Sequence, residues 1–184
     1  MERLIAGQDA ALNDLMERHA AKLFNFFIRC LQNEEDAADT AQETFVRVYQ
    51  NKNRFDRRQK FTTWLYAIAS NLVKDRYRWR SRHPTVSLDA KADDQKHDFR
   101  DFLPDQKPSP SETAQNQELK EAVRRAVAQL PEELRLPLIL SEYEEKSHSQ
   151  IGAILGCSAK AIETRIYRAR QRLREPLADA LRAT

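Results

Sequence analysis

"HSQIGAILGCSAKAIETRIYRARQRLR", residues 148–174, is the stretch that decides how this chain folds. It follows Ser147, which with Gln150 makes a Ser-x-x-Gln capping box at the start of a short helix. Gly156 stands where that helix must stop, because a left-handed residue past a helix end costs glycine almost nothing. Ser158 then caps a second helix after a turn of about three residues. Gly152 is the odd member, since glycine inside a helix costs roughly 1 kcal/mol relative to alanine. A tight crossing of two helices explains it, because a side chain there would hold them apart. Counted from His148, Gly152, Gly156 and Ile162 stand at positions 5, 9 and 15, the pattern of a helix-turn-helix.

The second helix has two faces. At 100° per residue, Ile162, Ile166, Ala169 and Leu173 fall within about 60° of one another and form the buried side. Lys160, Glu163, Thr164 and Tyr167 lie opposite, with Arg168 beside them. Between Lys160 and Arg174, six of fifteen residues are Lys or Arg, against one acid. Charge runs are usually only solvated surface. Here the caps, the glycines and the apolar stripe coincide with the cations, so the exposed face reads as a duplex-DNA surface with phosphate-binding groups beside side chains that reach base edges.

The rest of the chain widens this reading. Its 184 residues suffice for one medium domain or two small ones. With only three glycines and long runs of Ala, Leu, Glu, Arg and Gln, the composition favours an all-α protein. The longest apolar run is a handful of residues, so no membrane insertion is expected. The first residues, "MERLIAGQDAALNDLMERH", carry early acids and no cleavable apolar core, unlike a signal peptide. Cys30 and Cys157 match no metal spacing, and lone thiols suit a reducing cytoplasm.

The net charge of +3 hides an asymmetry: residues 1–82 sum to +4, residues 83–117 to −3 and residues 118–184 to +2. The middle stretch, 83–113, has four prolines in 31 residues and no sustained periodicity. It reads as a flexible linker. Two small helical domains follow from that, 1–82 and 114–184, the second being the helix-turn-helix. In the first, Leu12, Leu15, Met16, His19, Leu23, Phe26, Phe27, Cys30 and Leu31 form one helical stripe. A second helix opens on an Asn33 cap with five acids in residues 34–43. A third runs from about Thr62 to Arg82 with Leu65, Ile68, Ala69 and Leu72 as its buried stripe. In the second domain, a helix ends at Pro131 and the next runs over roughly 131–143. Pro137 should kink or shorten that helix.

Residues 52–82 hold ten basic side chains, two acids and six of the chain's fifteen aromatics: Phe55, Phe61, Trp64, Tyr66, Tyr77 and Trp79. Trp64 or Tyr66 alone would be read as core, and the arginines as merely solvated. Their density among cations instead suits single-stranded nucleic acid, where cations track phosphates and rings stack on unpaired bases. Asp39, Gln42 and Glu43 lie beyond the reach of helix capping and form a polar edge for a basic partner.

"DAADTAQETFVRVY", "FTTWLYAIASNLVKDRYR", "LPEELRLPLILSEYEEKSHSQIGAILGCS" and "AIETRIYRARQRLR" resemble, in order, the signatures of the extracytoplasmic-function (group IV) sigma factors, promoter-specificity subunits of bacterial RNA polymerase. The resemblance spans essentially the whole chain. It implies two helical domains that bind core RNA polymerase and recognise the −35 and −10 elements of promoter DNA, opening the duplex. Asp39, Gln42 and Glu43 match the helix that docks on the β′ clamp coiled coil, and the β subunit is a further implied contact. Phe55, Arg58, Lys60, Phe61, Trp64, Asn71, Lys74 and Arg78 match the part that opens the −10 element and holds a flipped base. Lys160, Glu163, Thr164, Tyr167 and Arg168 match the −35 reading face. Ala161, Glu163 and Pro137 depart from the family pattern. An anti-sigma factor is a common partner in the family. No cofactor, metal or enzymatic activity is implied, since the four histidines are scattered and no nucleophile–base pair or phosphate loop occurs. The rival reading is a free-standing helix-turn-helix regulator, which would leave the aromatic–basic cluster without a use.

Overall fold

The computed structural model describes residues 1–83 and 114–183. The expected linker, 83–113, lies outside the described residues apart from His83. Among those described, every regular element is helical: α1 (Glu2–Ile5), α2 (Ala10–Leu31), α3 (Glu34–Gln50), a 3-10 turn (Lys52–Arg54), α4 (Phe61–Arg82), α5 (Ala114–Ala128), α6 (Glu132–Glu142), α7 (His148–Leu155) and α8 (Ala159–Ala183). They fall into two units, residues 1–27 with 33–83, and residues 28–32 with 114–183.

In the first unit the core is aromatic. Phe24, Phe26 and Phe27 of α2 are buried with Phe45 of α3 and Tyr66 of α4. Phe26 meets Tyr66 edge-on, with ring centroids 5.3 Å apart. Each such side chain contributes about 1.5–3 kcal/mol by leaving water. Along α3, Ala37, Thr40, Ala41, Thr44, Phe45 and Val48 form the buried stripe. The two threonines are tolerated there because each hydroxyl donates to its own helix: Thr40 to the Asp36 carbonyl at 2.6 Å, Thr44 to the Thr40 carbonyl at 2.8 Å. Asn33 caps α3 as expected, accepting the Asp36 N–H at 2.8 Å. Asp36 in turn holds Arg80, and Arg76 at 3.7 Å, so the start of α3 is tied to the end of α4.

Some expectations shift. The stripe of α4 is Leu65, Tyr66, Ala69, Ser70, Leu72 and Val73, with Ile68 only half-buried. Leu12, Met16 and His19 of α2 are likewise half-buried. Tyr66, counted with the rings for unpaired bases, belongs to the core.

The second unit buries α6 on nearly all sides, Leu136 to Leu140 being buried without a break. Pro137 neither ends nor shortens α6, which continues to Glu142. The missing N–H would have met the carbonyl of Glu133, an exposed residue where water can take its place. Against this helix pack α7 and α8, contributing Ile151, Ile154, Ile162, Ile166, Ala169 and Leu173 to the core.

Candidate nucleic-acid and polymerase surfaces

Local chemistry builds the helix-turn-helix. Both halves of the capping box are formed: the Gln150 side chain accepts the Ser147 N–H at 2.9 Å, and the Ser147 hydroxyl accepts the Gln150 N–H at 3.3 Å. Gly156 adopts the left-handed conformation, φ 72° and ψ 39°. Ser158 caps α8 by accepting the Ala161 N–H at 3.2 Å. Gly152 is required by something closer than a helix crossing. A Cβ there would lie 2.6 Å from the backbone carbonyl oxygen of Cys157, in the turn itself. That carbonyl belongs to the residue whose own N–H donates to the Gly152 oxygen at 3.0 Å, so chain and turn are locked face to face.

On α8 the two faces separate cleanly. Ile162, Ile166, Ala169 and Leu173 are buried, while Lys160, Glu163, Thr164, Tyr167 and Arg168 are all exposed, Tyr167 to 62%. Lys160 donates to Glu163 at 2.9 Å. This bond and the lysine's charge hold the Glu163 carboxyl below the usual carboxylate range. The Thr164 hydroxyl donates back to the Lys160 carbonyl at 3.0 Å. Lys160, Glu163, Thr164 and Tyr167 border a shallow depression closed by His148 and Arg170. Arg170 was missed from the sequence, although it lies three residues beyond Tyr167 and seven beyond Glu163, on the same side of the helix. It is exposed and pairs with Glu142 of α6 at 2.7 Å.

In the first unit, Phe55, Phe61 and Trp64 gather in one cluster. Phe55 lies 5.2 Å from Trp64 and 6.3 Å from Phe61, and His19 of α2 sits 5.3 Å from Phe61. All are half-buried, so each ring is braced on one side and open on another. Arg58, Lys60, Asn71 and Arg78 are exposed and Lys74 is half-buried. The cations divide into two sets. Arg76 and Arg80 are held by Asp36, Arg78 by Asp75 at 3.3 Å and Lys52 by Asp9 at 3.3 Å. Arg57, Arg58 and Lys60 make no ion pair among the described residues. They crowd the start of α4, which has no side-chain cap and no acid in its first turn. Positive charge at a helix N-terminus opposes the helix dipole, so this loop spends stability to keep cations beside the rings.

Asp39 is exposed; Gln42 and Glu43 are half-buried, and Glu43 accepts from Arg47 at 2.7 Å. Val46, four residues past Gln42 and seven past Asp39, extends this edge and is 47% exposed. The period of α3 could have shown it. Neither cysteine forms a disulfide among the described residues, and burial pushes the Cys30 thiol far above its ordinary range. No cluster of His, Cys, Asp and Glu able to hold a metal occurs among the described residues, and none of their helices is long and apolar enough to cross a membrane.

The second unit carries a helix-turn-helix, and comparison with known proteins defines the class of the whole chain. Residues 15–83 match Sigma-70 region 2, and residues 120–173 match Sigma-70, region 4. The ECF RNA polymerase sigma factor SigW of Bacillus subtilis is 33% identical over 174 residues, 94% of this chain and 92% of SigW. The RNA polymerase sigma-H factor of Pseudomonas aeruginosa is 31% identical over 182 residues, covering 99% and 94%. The fold matches sigma factor RpoE of Bartonella quintana, solved with the anti-sigma factor NepR, at a TM-score of 0.68 and 23% identity over 93% of this chain and 98% of that one. The chain belongs to the extracytoplasmic-function sigma factors of RNA polymerase. Its partners are therefore RNA polymerase and promoter DNA.

Proposed function

We propose a division of labour between the two domains, 1–82 and 114–184, across the 83–113 linker. Asp39, Gln42 and Glu43 dock the first domain on the β′ clamp coiled coil of core polymerase, with β as a further contact. Phe55, Arg58, Lys60, Phe61, Trp64, Asn71, Lys74 and Arg78 receive the unpaired −10 strand. Lys160, Glu163, Thr164, Tyr167 and Arg168 read the −35 element in the major groove. The chain works in the cytoplasm, needs no cofactor and performs no catalysis of its own. An anti-sigma factor, like the one bound to the Bartonella relative, would act by covering these surfaces.

The observation that carries this reading is the start of α4, where three half-exposed rings adjoin Arg57, Arg58 and Lys60, which make no ion pair among the described residues. A free-standing regulator reads closed duplex and has no use for such a surface. The docking assignment is tested by reversing Asp39 and Glu43 together to lysine. Capture of core polymerase should fall while the circular dichroism spectrum stays unchanged. Undiminished capture with an unchanged spectrum would remove docking from α3.

A further inference from the structure

Glu163 is the single acid between Ala159 and Arg174, on the face where every other charge is positive. An acid there faces two costs, repulsion from DNA phosphates and from the acceptor atoms that dominate base edges. Its geometry meets the first. Lys160 grips one carboxylate oxygen, Oε2, at 2.9 Å, so the pair presents no net negative charge. The other oxygen, Oε1, has no partner among the described residues. Glu163 itself is exposed on α8, beside Lys160 and Tyr167 at the rim of the same depression.

An ionised carboxylate only accepts hydrogen bonds. In the major groove only cytosine N4 and adenine N6 donate them, while guanine and thymine present acceptors at the corresponding place. Adenine also sets its N7 acceptor beside the amino group, opposing a carboxylate, whereas cytosine has a C–H there. The cytosine amino group further adjoins O6 of its paired guanine, an acceptor suited to the Lys160 ammonium. The neighbouring Thr164 hydroxyl has its proton committed to the Lys160 carbonyl and does not compete as donor.

Building on the assignment of this face to the −35 element, we propose that Glu163 selects a cytosine at one position of that element, with Lys160 as the positioning residue that neutralises and orients the carboxylate. The exposed ion pair contributes little to stability, so replacing either member leaves the fold intact.

The test uses complete holoenzyme transcribing a promoter library randomised through the −35 element above a constant −10 element. The wild type should favour cytosine at one position by about tenfold over guanine and thymine. Glu163→Ala should flatten that position alone. Glu163→Gln should move it to adenine, whose N6 and N7 match a carboxamide. Lys160→Ala should weaken the same preference and Lys160→Arg restore it. Arg168→Ala and Tyr167→Ala are read in the same library. If they shift other positions while Glu163→Ala shifts none, or if the wild type favours any other base where Glu163→Ala acts, the cytosine assignment is overturned. If no α8 variant alters any position, the −35 assignment of the whole face falls with it.

Discussion

Gly152 shows how much a single missing carbon can decide. Helix preference alone says that alanine there should stabilise α7 by about 1 kcal/mol. The Cys157 carbonyl oxygen, 2.6 Å from where the new carbon would lie, reverses the sign, because it is backbone and cannot rotate away. Gly152→Ala should therefore lose about 1–3 kcal/mol, the usual cost of overpacking, measured by urea unfolding of the full chain. A gain in stability would show that the turn yields. The sequence marks Gly152 as anomalous, since an interior helical glycine demands a reason, and the reason lies in the fold of a turn five residues on. Trp64 and Tyr66 make the same point. Both are aromatic, two positions apart on α4, yet Tyr66 is core and Trp64 is half-exposed. Composition cannot separate them, because depth depends on what α2 places opposite.

At the scale of elements, α3 and α4 are built on contrary principles. The first has Asn33 accepting the Asp36 N–H and three acids in its first turn. The second begins at Lys60, extended at φ −67° and ψ 135° as a cap residue should be, but without a capping side chain. Lys60→Asp supplies the missing acceptor and the favourable charge together. It should raise thermal stability, by about 1 kcal/mol, while impairing opening of the −10 element. Scanning calorimetry and an open-complex assay on the same variant check the two halves. Loss of stability, or gain of both, would refute the trade. Caps such as Asn33, Ser147 and Ser158 were legible in the sequence because their chemistry is complete within four residues. Pro137 was not, since the cost of its missing N–H depends on whether the Glu133 carbonyl meets water or core.

For the whole molecule, the proposed division of labour has the surfaces acting in succession on one promoter, and substitutions should separate the steps. Phe61 is half-buried against His19, Phe55 and Trp64, and lies on neither the α3 edge nor α8. Phe61→Ala should leave capture of core polymerase and protection of the −35 element in place while lowering permanganate reactivity of −10 thymines. Stacking of one base on such a ring contributes ~1–3 kcal/mol. A template with a pre-melted bubble should recover much of the lost transcription, because the opening step is bypassed. Wild-type reactivity in the variant would return these rings to the core.

The clean division of α8 has a consequence for how such a protein changes over generations. Ile162, Ile166, Ala169 and Leu173 face inward, and no residue of the proposed reading face is among them. Exposed positions can therefore be rewritten one at a time without passing through a misfolded intermediate. A duplicated copy of this gene could acquire a new set of promoters by a few substitutions, its scaffold unchanged. The same independence lets an engineer build sets of mutually silent transcription switches by redrawing one strip of one helix.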